Sequence, residues 1–148
     1  MRYSAELTID LPRDQVIKLF DSIENLYQWQ PGLKSHRVLS GEPGREGCRS
    51  RLVYEARKGE LVMTETVRQR NFPEEYHAEY RSKGVINEMY NYFTEPEKNQ
   101  TLWQTVNVFR FRGLMALMAP FMKTAFYNNT LLNMERFKTF AEKSPNNQ

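Results

Sequence analysis

Residues 112–143 read RGLMALMAPFMKTAFYNNTLLNMERFKTFAEK. Leu114, Leu117, Met118, Phe121, Met122 and Ala125 recur at three- and four-residue steps, which places them along one side of a 3.6-residue helix. That side is expected to be buried. Tyr127, Leu131, Met134, Phe137 and Ala141 form a second stripe, rotated from the first, with Arg136, Lys138 and Lys143 toward the negative C-terminal end of the helix dipole. Pro120 predicts a kink or a fresh start between the two. A long helix with two apolar sides needs a wide, concave partner, and the chain before it has the pattern to supply one.

Immediately upstream, residues 101–111, TLWQTVNVFRF, predict a long last strand whose two faces are both largely apolar, so alternation does not select its inner face. Residues 75–82 and 85–94 predict a hairpin around Lys83-Gly84, in which Tyr80 pairs with Asn87, Ala78 with Met89 and Tyr76 with Asn91. Asn87 and Asn91 then join the apolar side. His77, Glu79, Arg81 and Glu88 take the other, solvent-facing side, where Glu79 opposite Glu88 is an awkward like-charge contact.

Residues 48–57 and 60–70 predict a second hairpin. With Lys58-Gly59 as its loop, Arg57 faces Glu60, Tyr54 faces Met63, Leu52 faces Glu65 and Ser50 faces Val67. One face reads Ser50, Leu52, Tyr54, Ala56, Leu61, Met63, Glu65 and Val67; it is the inner one, and Glu65 sits on it. The other carries Arg49, Arg51, Arg57 and Arg68, a basic outer surface for solvent, an acidic partner or anionic lipid. Earlier still, residues 2–9 alternate with Tyr3, Ala5, Leu7 and Ile9 on one face. A short helix after Leu11-Pro12 buries Val16, Leu19, Phe20 and Ile23. Residues 26–32, LYQWQPG, read as a turn-rich link that drops Trp29 against the core, residues 33–39 as a strand, and the glycine-rich 41–47 as turns.

The chain has 148 residues, the size of one domain, and a net charge of +3. Its lysines and arginines are spread and interrupted by glutamates, which argues against a nucleic-acid surface. Cys48 is the only cysteine, so no internal disulfide or thiolate cluster forms, and a reducing, cytoplasmic location is expected. The first ten residues have no apolar h-region, and no apolar run reaches ~18 residues, so neither export nor membrane spanning is indicated. Two histidines, His36 and His77, without a matching carboxylate or cysteine pattern imply no metal site, and no cofactor motif is present. Residues 1–143 are expected to form a single domain, and residues 144–148 a frayed tail.

Several of these residues carry a likeness. Ile9 with Leu11-Pro12 and Val16, the Trp29-Gln30-Pro31 step, the turn from Gly44 to Gly47, and a tail with Gly113-Leu114, Pro120, Met134, Phe137-Lys138 and Glu142 resemble the START-like superfamily, also called SRPBCC. Within it the chain is most similar to bacterial members labelled polyketide cyclase/dehydrase. The resemblance implies an α+β helix-grip fold: a curved antiparallel sheet of about seven strands wrapped around a long C-terminal helix, with two short helices after the first strand and a cavity between sheet and helix. It also implies binding of lipids, sterols, polyketides or hormones, with catalysis in a minority of members.

The residues divide the functional expectations. Tyr54, Met63, Glu65, Tyr76, Tyr80, Asn87, Met89, Asn91, Leu117 and Phe121 are the expected ligand contacts. The methionines, Leu117 and Phe121 supply plastic apolar surface; the polar groups fix orientation. The first function is a carrier or sensor of a small hydrophobic or amphipathic molecule. The second is an aromatase/cyclase-type enzyme, in which a carboxylate held in an apolar cup without a cation has a raised pKa, so that Glu65 moves a proton. Glu65 could instead reach water or pair with Arg136 on the closing helix. The asparagines and tyrosines could instead bond one another, and the apolar run 114–122 could serve as a lid or a homodimer contact.

Overall fold

The computed structural model describes residues 1–144. Strand β1 (Arg2–Ile9) is followed by helices α1 (Arg13–Phe20) and α2 (Ile23–Trp29). Six strands follow: β2 (Leu33–Ser40), β3 (Arg49–Ala56), β4 (Gly59–Asn71), β5 (Glu75–Ser82), β6 (Val85–Thr94) and β7 (Thr101–Phe111). The chain ends in α3 (Leu114–Met118), a 3-10 turn (Ala119–Phe121) and α4 (Lys123–Lys143). All seven strands lie in one antiparallel sheet of order β1-β7-β6-β5-β4-β3-β2. Strands β1 and β2 are its two edges, so α1 and α2 carry the chain from one edge to the other.

The β5–β6 hairpin has the expected register, Tyr80 opposite Asn87 and Tyr76 opposite Asn91. Glu79 and Glu88 do face each other, and each is neutralised separately. Arg81 and Arg68 hold the buried Glu79 at 2.7 and 3.1 Å, while Arg110 and the Tyr90 hydroxyl take Glu88, each at 2.9 Å. The β3–β4 register is corrected. Ser50 faces Glu65, Leu52 faces Met63 and Tyr54 faces Leu61, because Arg57-Lys58 form the loop and Gly59, at φ +87°, is the first residue of β4. The slip changes the index sum by an even number, so the side chains of the hairpin up to Val67 stay on the faces expected for them.

Residues 26–32 are not a loose link. Their first half belongs to α2, started by Ser22, whose Oγ accepts the Asn25 N–H at 3.1 Å. The helix places Trp29 in the core, but leaves Ile23 at its start exposed. Of the β7 faces, the buried one carries Thr101, Trp103, Thr105 and Asn107. Of residues 144–148, Ser144 is buried, its N–H donating to Ala141 O at 3.2 Å; residues 145–148 lie outside the described residues.

The C-terminal segment departs most from expectation. Its second stripe packs in its C-terminal part: Met134, Phe137 and Ala141 are fully buried against Ile9, Val16, Trp29, Phe93 and Trp103, whereas Tyr127 at its start is exposed. Phe137 lies at the centre of an aromatic cluster, its ring 5.2 Å from Trp29, 5.5 Å from Trp103 and 5.8 Å from Phe20. Lys138 Nζ donates to Thr8 O at 2.7 Å, and the Tyr3 hydroxyl meets Thr130 Oγ1 at 2.7 Å, so β1 holds α4 along its length. The first stripe is not buried. Leu114, Leu117, Met118 and Phe121 are 74, 72, 50 and 88 % exposed, and Ala125 is exposed as well. Gly113 and the 3-10 turn at Pro120 break the segment into three pieces, and no part of the sheet lies over that side of the first two. Periodicity identified an apolar face correctly; nothing among the described residues covers it.

Candidate functional site

Because the C-terminal half of α4 fills the cup while its N-terminal half stands over it, a hollow of about 1210 Å³ remains between helix and sheet. Its wall includes Tyr54, Met63, Glu65, Tyr76, Tyr80, Asn87, Met89 and Asn91, all eight expected from strand parity. The two helical residues expected with them, Leu117 and Phe121, are not there; they face solvent. Met115, Met122 and Phe126 reach the wall in their place, followed along α4 by Asn129, Thr130, Asn133, Met134 and Arg136.

One part of the wall is polar. Glu65 on β4 lies opposite Tyr80 on β5, with His36 Nε2 at 3.9 Å on the other side. Arg136, the alternative partner, lines the hollow, but the side chain found beside Glu65 is the His36 imidazole. Tyr54 donates to Gln30 Oε1 at 2.6 Å. Arg70 donates to Asp21 through its two terminal guanidinium nitrogens and to Gly44 O at 2.9 Å. Burial pushes the hydroxyls of Tyr54, Tyr76 and Tyr80 well above the usual tyrosine range, and the negative charge of Glu65 pushes them further. These phenols are therefore held protonated around a carboxylate, with the Tyr54 proton already given to Gln30 and that of Tyr80 facing Glu65.

Along β6 and β7 the wall is a ladder of amides. Asn87 Nδ2 donates to Asn107 Oδ1 at 3.3 Å, Asn107 Nδ2 to Thr105 Oγ1 at 3.3 Å, and Trp103 Nε1 to Asn91 Oδ1 at 3.0 Å. Asn91 is thus committed to Trp103 through its acceptor, while Asn87 is not: its buried Oδ1 has no hydrogen-bond partner among the described residues, and neither has the buried Trp29 Nε1. Asn87 on β6 and Trp29 on α2 both line the hollow, and a buried acceptor and a buried donor left open there are what a ligand with a hydroxyl and a carbonyl would satisfy.

His36, Arg70, Gln30, Thr105 and Asn107 line the hollow without having been expected there. A bulge between Val67 and Gln69 explains Arg70: the extra residue reverses the alternation of β4, so Arg70 pairs with Tyr76 and turns inward although simple parity sends it out. His36 faces Leu52, which the register of β2 decides and the sequence of β2 does not announce. His77 lies on the outer face as expected, yet is not free in solvent; Tyr90 and Tyr92 pack edge-on against it at 4.9 and 5.3 Å. Cys48 is buried, its Sγ 3.9 Å from Ser50 Oγ. Among the described residues no cluster of three or more His, Cys, Asp or Glu is placed to hold a metal ion, and no helix is long and apolar enough to cross a membrane.

Residues 1–139 match the sequence model described as polyketide cyclase / dehydrase and lipid transport. Solved structures similar to the chain include an aromatase/cyclase, Zhui, from Streptomyces sp. R1128, at 11 % identity and a TM-score of 0.80 over 97 % of this chain and 94 % of that one. A START superfamily protein from Mycobacterium smegmatis matches at 15 % identity and 0.78, covering 96 % and 97 %. A conserved protein from Geobacillus kaustophilus matches at 12 % and 0.82, covering 97 % of each chain. At these identities the likeness establishes the START-like fold alone. No curated protein sequence matches the chain.

Proposed function

The chain belongs to the polyketide cyclase / dehydrase and lipid transport family, and from that premise we propose that it binds and carries a small hydrophobic or amphipathic molecule, lipid- or polyketide-like, between the sheet and α4. The observation that carries this reading is the hollow itself, at about 1210 Å³ roomier than most drug-sized ligand sites. Its wall combines Met63, Met89, Met122 and Phe126 with phenols and open amide and indole groups. An apolar body would lie against the methionines and aromatics, contributing roughly 25 cal/mol per Å² buried. A polar head would accept from Tyr76 and Trp29 and donate to Asn87 and Glu65. A cytoplasmic location is part of the reading, supported by a single, free cysteine.

Native mass spectrometry of freshly purified protein and displacement of a fluorescent fatty acid test it. Retained small molecules, displaceable and lost when Met63→Trp and Met89→Trp fill the hollow, are the expected result. No retained mass and no displacement would remove the carrier.

A second reading, an aromatase/cyclase-type enzyme with Glu65 as acid/base, is favoured by the carboxylate standing among three protonated phenols inside an open hollow. Glu65→Gln separates the two: it abolishes turnover of a polyketone substrate under the enzyme reading and leaves the bound ligand in place under the carrier reading.

A further inference from the structure

Two features meet at the end of the molecule formed by the β5–β6 turn and α3. The first is apolar. Leu114, Leu117, Met118 and Phe121 project from α3 and its 3-10 extension with half to nine-tenths of their surfaces exposed, while Met115 turns inward against Gly84. An isolated exposed leucine is ordinary; four large side chains on eight consecutive residues, as 114–121 present them, form a patch. The second is basic. A separate groove of about 560 Å³ beside this segment is lined by Arg81, Arg110 and Arg112. Arg81 is held by Glu79 and Arg110 by Glu88, whereas Arg112 has no ion-pair partner among the described residues. Lys83 and Lys123 flank the same segment, and the sequence holds no acidic residue from 110 to 134 or from 80 to 87.

We propose that this end is a docking surface for an anionic phospholipid bilayer, with Leu117 and Phe121 entering the acyl boundary and the arginine groove receiving lipid phosphates. Exposed apolar side chains on a short helix rimmed by cations are the combination that binds an anionic interface, where burial and charge act together. A protein partner would be expected to meet the patch with apolar surface of its own; it would not require Arg112, Lys83 and Lys123 around it. The position of the surface adds to the argument. Ser82, Lys83, Val85, Met115 and Met122 belong both to this end and to the wall of the large hollow, so a docked bilayer would lie next to the ligand space. The docking stands without the carrier reading, and the carrier reading without the docking.

Co-sedimentation with phosphatidylcholine vesicles, with and without phosphatidylglycerol, tests it on the full chain. The expected result is binding at least ~tenfold tighter to the anionic vesicles, weakened as salt rises. Leu117→Asp with Phe121→Asp abolishes it, and Arg112→Glu reduces it several-fold. All three positions are exposed, so an unchanged melting temperature shows that folding is retained. Fatty-acid displacement without vesicles stays at the parent value in these variants, which keeps a failure here distinct from a failure of the carrier. Equal partition into neutral and anionic vesicles, no partition at all, or unaltered binding by the variants overturns the proposal. So does a vesicle-free dimer, seen as a concentration-dependent mass, that the aspartate pair dissolves.

Discussion

Phe137→Ala and Phe121→Ala remove the same ring from the same C-terminal segment and are expected to differ by several kcal/mol. Phe137 is wholly buried, with Trp29, Trp103, Phe20 and Phe140 around it at ring separations of 5.2, 5.5, 5.8 and 6.4 Å. A buried phenylalanine withdraws roughly 150–250 Å² from water, which at about 25 cal/mol per Å² sets an upper bound near 4–6 kcal/mol. Truncations of buried aromatics cost about 3–5 kcal/mol, the spread reflecting how far the site collapses. Here the neighbours are themselves large rings anchored on the sheet and on α1 and α2, which resists collapse and favours the upper half of that range. Phe121 is 88 % exposed, so its truncation stays within about 0.5 kcal/mol. Urea denaturation followed by tryptophan fluorescence reads both; by melting temperature the first corresponds to a loss of roughly 10 °C or more for a chain of this size. A Phe121 variant that loses more than about 2 kcal/mol, or a Phe137 variant that loses less than about 1, would mean that the two stripes of residues 112–143 have been assigned the wrong way round.

Three further outcomes follow from particular contacts. Tyr54, Tyr76 and Tyr80 have folded pKa values above the unfolded value near ~10, so their contribution to stability is complete below that pH and is lost as pH rises beyond it; absorbance at 295 nm should show them ionising only together with unfolding. Asn91→Leu leaves the buried Trp103 N–H without its acceptor and should cost about 1–3 kcal/mol in chemical denaturation, with Trp103 emission altered. Gly84→Ala puts a methyl group 3.1 Å from Met115 Cγ at a residue with φ +77°, and should cost about 1 kcal/mol or more while making the 112–122 segment faster to cleave in limited proteolysis.

Much of the wall of the candidate site was legible in the sequence. Parity along β3, β4, β5 and β6 assigned Tyr54, Met63, Glu65, Tyr76, Tyr80, Asn87, Met89 and Asn91 to one face, and the structure brings that face to the hollow. The assignment survived a wrong β3–β4 register because the error was even. It failed at Arg70, where the bulge after Val67 inserts a residue, and it had no purchase on β7, whose two faces are equally apolar. The partners of polar groups were also out of reach: that Asn91 serves Trp103 while Asn87 keeps an open oxygen depends on which strands adjoin, not on any local pattern.

The order and type of the elements, the hairpin turns and the face of most side chains belong to the sequence, since backbone sterics and a period of two or 3.6 act over a few residues at a time. Whether an apolar face is buried belongs to tertiary structure, because burial requires a second surface and that surface comes from distant residues. The two stripes of residues 112–143 look alike in sequence. Phe137 met the aromatic residues of α1, α2 and the sheet and became core, while Phe121, carried past the end of the sheet by Gly113 and Pro120, met no covering surface among the described residues and was left facing water.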